Sequence, residues 1–349
     1  MKIFHIESGL GNQMLSYCEY LAARKVDQNE KCYIENIIYD IPECNDVICQ
    51  WNGYELERIF GIKAANIKEL FDNKRWNQII SEIRDSRFWE RNWNYPVHFT
   101  AAFNHAGLSI QNIRGDFEEP AFIKIYSGEK TFKSQCIDTY AGQFVKRLYY
   151  KMTEKKKLAE VNNTKNIFCT ASCDVFTGQW LSFKYRCNDI DKIESEIRST
   201  FVFPKFGDEK NIKMSDFLST HNAVAIHARR GDMLGVNEYC YKFGYFQRAI
   251  SFLKKKVENP VFVFFCDPGS VEWCKQNEKI FGLDFKKDQV LFVDWNKGLE
   301  SYRDMQLMSL CKYAVITNSS FGWWGAYLIK YPEKITISPD ITINTTHHF

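Results

Sequence analysis

The stretch Ala223-Val224-Ala225-Ile226-His227-Ala228-Arg229-Arg230-Gly231-Asp232 runs from four consecutive small or branched apolar residues straight into two adjacent arginines. A short apolar run of this kind reads as a strand, Ala223–Ile226, buried on both faces of a parallel sheet. Guanidinium groups just after such a strand are costly unless they meet anions. Their planar forks match phosphate oxygens and stay charged at any relevant pH. Taken alone, the pair fits equally a surface loop closed by an Arg–Asp ion pair.

The flanking sequence repeats the alternation of strand and helix. A helix is predicted over Tyr245–Val257 and apolar strands over Val261–Phe265 and Val290–Asp294. There follow a helix over Ser301–Lys312, a strand over Tyr313–Thr317, a helix over Phe321–Lys330 and a last strand over Ile335–Ser338. Upstream, Lys2–Ile6 and Lys31–Glu35 read as strands around a turn at Glu7–Gly11 and a helix from Asn12 to Val26. Helical patterns follow at Tyr54–Phe60, Arg75–Arg84, Gln143–Val161 and Asp189–Thr200. Alternating strands and helices define an α/β protein. A length of 349 residues exceeds one core, so two Rossmann-like units are expected. They are residues 1–204, with an insertion around 110–170, and residues 205–349, with 204–220 as the linker between them.

Apolar residues at 45% and charged residues at 26% are the balance of a globular protein, and a net charge of +3 excludes a dedicated nucleic-acid binder. Twelve cysteines include no CxxC pair, so a zinc site is not indicated. No apolar run near the start has the length of a signal peptide, and none approaches the roughly 20 residues that span a bilayer. A cytoplasmic location with free thiols is expected.

Ligands of open α/β sheets bind outside the carboxyl ends of the strands. After Tyr313–Thr317 comes Asn318-Ser319-Ser320-Phe321-Gly322-Trp323-Trp324-Gly325. Asn and Ser suit a helix cap, and a helix amino end suits phosphate. Two anion-suited strand ends in one half of the chain look like a diphosphate clamp without a metal. Asp304 opens a helix, where a carboxylate either steadies the helix amino end or accepts the paired N–H groups of a guanine. After Lys2–Ile6, the glycines of Glu7-Ser8-Gly9-Leu10-Gly11-Asn12-Gln13-Met14 allow a tight turn.

Four blocks together resemble the α-1,2-fucosyltransferases of glycosyltransferase family 11, and more distantly the α-1,6- and protein O-fucosyltransferases. They are GLGNQM at 9–14, GQWLSFKYRCNDIDKIESEIRSTFVFP at 178–204, HARRGDM at 227–233 and DMQLMSLCKYAVITNSSFGWWGAYL at 304–328. The resemblance implies a GT-B-like pair of Rossmann-like domains facing a cleft, with the acceptor side in 1–204 and GDP-fucose bound by 205–349. It implies inverting transfer of fucose to a galactoside in a glycan acceptor, with no obligatory metal and no cofactor beyond the co-substrate. By position, Arg229 would engage the β-phosphate, and His227 and Arg230 would shape that pocket. Asn318, Ser319, Ser320 and Phe321 would hold the diphosphate and ribose, Asp304 the guanine, and Asn12 would approach the reaction centre. Asp232 is the nearest candidate general base and Glu238 the next, with an ion pair to the arginines as the other role for Asp232. Met233, Leu181 and Cys266-Asp267-Pro268 depart from the family pattern.

Bacterial relatives of this type use lipid-linked acceptors. The basic helix with Lys146, Arg147, Lys151, Lys155, Lys156 and Lys157 would then rest on an anionic membrane, or else present a solvated face. Two other functions fit parts of the sequence. A nicotinamide or flavin oxidoreductase rests on Gly9, Gly11 and Glu35, with Met14 where the third glycine of GxGxxG belongs. A non-catalytic glycan-binding protein would use Trp51, Trp76, Trp89 and Trp93 as stacking faces.

Overall fold

The computed structural model describes residues 1–26, 28–46, 52–91, 95–110, 113–114, 132–137, 139–152, 175–176, 193–231 and 234–339. The chain forms two compact units, Met1–Ser127 with Lys156–Pro204, and Gly128–Lys155 with Lys205–Phe349.

The first unit is built on four parallel strands, β1 (Lys2–His5), β2 (Cys32–Glu35), β3 (Ile113–Arg114) and β4 (Val175–Phe176), in the order β2-β1-β4-β3. Ile3 of β1 packs under Trp76, Ile79 and Ile83, which share one face of the helix Asn73–Ser86, and under Phe99 and Phe103 of the helix Tyr95–His105. Asp72 starts the first of these helices, its Oδ1 accepting from the Arg75 amide at 2.8 Å.

The second unit carries five parallel strands, β5 (Ala223–Ala228), β6 (Val261–Cys266), β7 (Gln289–Val293), β8 (Tyr313–Ile316) and β9 (Ile335–Ile337), in the order β7-β6-β5-β8-β9. Alternate residues serve opposite faces. Val224, Ile226, Phe262, Phe264 and Val315 meet Phe246, Ile250 and Leu253 of the helix Tyr245–Lys256. Ala225, Val263, Phe265, Ala314 and Ile316 meet Leu307, Met308 and Ala326. Burial on both faces explains why these strands are uniformly apolar. The chain winds β5, β6, β7 toward one edge and then crosses back to lay β8 and β9 on the other. The order therefore reverses between β5 and β8, where ligands of such sheets bind.

Three expectations change. Residues 204–220 are not a plain linker: Glu209–Thr220 is a helix, its Asp208 cap accepting from the Asn211 amide at 2.9 Å. Met214, Phe217 and Leu218 form its apolar stripe and pack into the second core. Gly128–Lys155 groups with the second unit, where the Tyr140 hydroxyl donates to the Lys242 carbonyl at 2.7 Å and its ring lies edge-on to Phe243. The helix expected at Gln143–Val161 is Tyr140–Met152, and 153–161 lie outside the described residues. Phe144, Leu148, Tyr149 and Met152 on it are exposed. Among the described residues no helix is long and apolar enough to cross a membrane. The described cysteines are free thiols, mostly buried.

Candidate functional site

Strand β5 continues two residues beyond the expected Ile226, because His227 and Ala228 stay in register with Phe265 and Cys266 of β6. Arg229 is therefore the first residue past the strand, and Asp267 the first past its neighbour. The two meet: Arg229 Nη1 stands 2.5 Å from Asp267 Oδ1. Asp267 Oδ2 also accepts from the amides of Arg230 and, at 3.0 Å, Gly231. On the β8 side of β5, the Arg229 amide donates to Thr317 Oγ1 at 3.3 Å; the Tyr241 hydroxyl donates to the Arg229 carbonyl at 3.1 Å. Arg230 turns elsewhere. Its guanidinium lies 3.3 Å over the Trp273 ring and 5.1 Å from that of Tyr241. This stack engages its charge within the protein, whereas the sequence reading placed it in the donor pocket.

The helix Ser320–Tyr327 opens beside this loop, after β8. Ser319 takes the N-cap position with extended backbone, yet its side chain makes no capping hydrogen bond. Plain capping, the structural alternative for this serine, is not realised. Asn318 is buried and clamped from behind: its amide donates to Asn237 Oδ1 at 2.9 Å, and Asn237 Nδ2 donates to its carbonyl at 3.5 Å. His227 lies under the helix opening, its ring stacked on Phe321 at 6.0 Å and Nδ1 3.3 Å from Thr317 Oγ1. Gly322 makes room for it. A Cβ at 322 would stand 2.4 Å from His227 Nδ1. Gly322→Ala should therefore destabilise the protein by about 1–3 kcal/mol through overpacking, despite the roughly 1 kcal/mol that alanine gains over glycine in a helix. Denaturant melts check this, and the loss should shrink when His227→Ala is added.

Asp304 sits in the first turn of the helix Tyr302–Leu310. Asn296 Nδ2 donates to its Oδ1 at 2.7 Å, and Asn296 is tied in turn to Asn211. Burial pushes Asp304 up to about 7; the Asn296 hydrogen bond opposes this and the charge of Asp294 adds to it.

Asp232 and Met233 lie outside the described residues, as do Leu181 and the block 178–192. Glu238 pairs with Lys242 at 2.5 Å on its own helix. Asn12 belongs to the first unit, partly exposed in the helix Leu10–Val26. Its neighbour Gln13 is fully buried and holds three segments together. Nε2 donates to the carbonyls of Ser8 (2.9 Å) and Gly53 (2.8 Å), and Oε1 accepts from the Glu55 amide (2.9 Å). The left-handed residue of this turn is Ser8, with φ 62°, not a glycine. Its carbonyl is fixed by Gln13 and by the Tyr39 hydroxyl at 2.6 Å.

Glu35 and Trp76, one from each rival reading, are buried within the first unit. Glu35, the would-be ribose ligand, is buried against the His5 imidazole and accepts from the Ile37 amide at 2.7 Å. Trp76 is a core residue and Trp89 packs against the same core, while Trp51 and Trp93 lie outside the described residues. Among the described residues no group of three or more His, Cys, Asp or Glu is arranged to hold a metal ion. Asp267, Asn237 and Trp273 were missed from sequence. Asp267 alone left a signal, as a carboxylate directly after an apolar strand.

Fold and site define a doubly wound α/β protein with an anion-suited crevice at the switch point of its second unit. Residues 175–344, just under half of the chain, match the model of glycosyl transferase family 11. An alpha-1,2-colitosyltransferase of Escherichia coli is 34% identical over 171 residues, 47% of this chain and 54% of its own. The O-antigen biosynthesis glycosyltransferase WbnK of Escherichia coli is 33% identical over 34% of this chain and 38% of its own. Galactoside alpha-(1,2)-fucosyltransferase 1 of Sus scrofa is 31% identical over 38% and 33%. The chain spans about half or less of the length of these relatives. The structure of NodZ alpha-1,6-fucosyltransferase soaked with GDP-fucose superposes with a TM-score of 0.44 and 13% identity, covering 99% of this chain and 96% of that one.

Proposed function

We propose that this chain transfers L-fucose from GDP-fucose, with inversion, to a hydroxyl of a glycan acceptor, O2 of a β-galactosyl residue, in surface polysaccharide or oligosaccharide synthesis. The observation that carries this reading is that Arg229, directly past β5 with its amide on Thr317 Oγ1, and the opening of the helix Ser320–Tyr327, with Ser319 not capping it, stand at the ends of the neighbouring strands β5 and β8, where the strand order reverses. Cationic and N–H donors fixed there suit the charge that builds on a departing diphosphate. The matched segment and the α-1,2-transferring relatives support the same reading.

In this mechanism the diphosphate lies between Arg229 and the amides at Ser320 and Phe321, and His227 backs the pocket. Asp304 accepts from the guanine. The acceptor oxygen attacks the anomeric carbon from the face opposite GDP, and its proton passes to a base, with Asp232 and Glu238 as candidates. Arg229 and the helix amides supply the countercharge, so no metal is required.

The test is incubation with GDP-fucose, its 3-deoxy counterpart GDP-colitose, UDP-galactose and CMP-sialate, with and without β-galactosides, and with and without EDTA. Nucleotide release from GDP-fucose that depends on the galactoside and persists in EDTA is expected. Release from UDP- or CMP-sugars alone overturns the donor. An acceptor carried on lipid at the inner face of a membrane belongs to the same proposal, supported by the exposed apolar residues Phe144, Leu148 and Met152 on a helix rich in Lys and Arg. Vesicles with anionic lipid should pellet the protein. Equal recovery with neutral vesicles counts against it.

Asp304 gives this reading a pH signature. Only the ionised carboxylate accepts two N–H groups, and burial holds its pKa near 7 in the free protein. GDP affinity should be flat above about pH 7 and weaken by about tenfold per unit below it. Asp304→Asn should abolish that dependence. Because the folded pKa lies above the unfolded one, ionising Asp304 costs stability, and the cost grows as pH rises from about 4 to about 7. Asp304→Asn should therefore stabilise the free protein at neutral pH, by on the order of 2 kcal/mol given its partial solvent access, while weakening GDP. Calorimetry and urea melts across pH check both halves.

A further inference from the structure

We propose that Asp267 is a positioning residue of the donor site: its carboxylate aims the Arg229 guanidinium at the leaving phosphate, leaving Arg230 to anchor the loop. The inference rests on the reading of Arg229 given above. Asp267 is buried, 6% exposed, at the carboxyl end of β6, the strand paired with β5. One of its oxygens meets Arg229 Nη1 and the other accepts two successive amides, Arg230 and Gly231. A carboxylate that binds a side chain and the backbone behind it fixes both the path of the loop and the direction of the guanidinium. The loop is held also by Thr317 and by Tyr241. Arg230 instead stacks over Trp273 and lies 5.1 Å from the Tyr241 ring. Two adjacent arginines of similar chemistry thus have separate tasks, and Asp267 decides which one faces the anion.

The expected kinetics follow from where the charge develops. GDP-fucose carries its diphosphate as a diester; the transition state and free GDP carry additional charge on the leaving phosphate. A guanidinium held in one direction favours the latter two over the substrate, whereas a wandering one does not. Asp267→Asn keeps an oxygen for the two amides and removes the partner charge of Arg229. It should lower kcat by about 10–100-fold and weaken GDP about tenfold, with the GDP-fucose KM within about threefold of wild type. In an Arg229→Ala background the same substitution should do nothing further, because Asp267 acts through Arg229.

Steady-state transfer and GDP calorimetry on the four proteins of this cycle test the proposal, with thermal melts to certify folding. If Asp267→Asn does not fold, Asp267→Ser replaces it. Unchanged kcat in a folded variant overturns the proposal, as does an equal further loss in the Arg229→Ala background. Tighter GDP binding by Asp267→Asn also overturns it, since Asp267 would then mask the charge of Arg229 rather than direct it. GDP binding is read whatever sugar the enzyme transfers. Failure of wild type to consume GDP-fucose therefore counts against the proposed function, and an intact non-additive loss of GDP affinity would still support Asp267.

Discussion

Arg229→Ala should lose transfer by about 100–1000-fold, the usual cost of removing one fixed donor from a site where anionic charge develops. Arg229 pairs with Asp267 directly past β5, beside the switch point, while Arg230 stacks on Trp273. The loss should fall on kcat more than on the donor KM. Arg229→Lys should recover little. An ammonium has no planar fork to span Asp267 and a phosphate oxygen together, and its charge sits at a single point. The alanine variant leaves Asp267 buried with two amide donors and no cation, so it should also melt earlier; the lysine variant separates that loss from the chemical one. Near-normal turnover in a folded Arg229→Ala protein would remove Arg229 from the mechanism.

The residues that dictate the fold are those whose meaning is local. Val261–Phe265 and Ala223–Ile226 are apolar without interruption because both faces of their sheet are covered, and a single sequence shows that directly. Once β5, β6 and β8 are placed, the position of the site follows from topology, which is why His227, Arg229 and Ser319 were legible. What depends on register was not. Arg230 and Asp267 are 37 residues apart, and only the pairing of Ala228 with Cys266 brings their ends together. Nothing in Arg229-Arg230 tells which arginine stacks on Trp273, because that ring comes from another helix. The helix Glu209–Thr220 was read as a linker because its apolar stripe is only Met214, Phe217 and Leu218 beneath a polar surface. Ser8 shows the converse error. Glycine is the usual tenant of positive φ, but two side-chain donors to its carbonyl hold a serine there instead.

The first unit should be sensitive to alkali through one side chain, His5. Its ring is buried at the end of β1, with Nδ1 on the Glu35 carboxylate and Nε2 3.4 Å from Glu7. Burial alone would lower its pKa, but Glu35 and Glu7 outweigh burial and raise it to about 10. The imidazole is then a cation between two buried carboxylates. A folded pKa above the unfolded value of about 6.5 contributes stability that is complete below pH 6.5 and is lost as pH rises toward about 10. Tyr39 nearby does not share that window, since burial and the charges of Glu7 and Glu55 push its phenol well above its ordinary value. His5→Ala at neutral pH leaves Glu7 and Glu35 without their cation, which should cost about 3–5 kcal/mol. Between pH 7 and 10 its stability should fall less steeply than that of wild type. Hydrogen exchange of the β1 and β2 amides, read by mass spectrometry across pH, localises the effect to this unit. Parallel alkaline slopes in wild type and His5→Ala would mean that His5 is neutral in the folded protein.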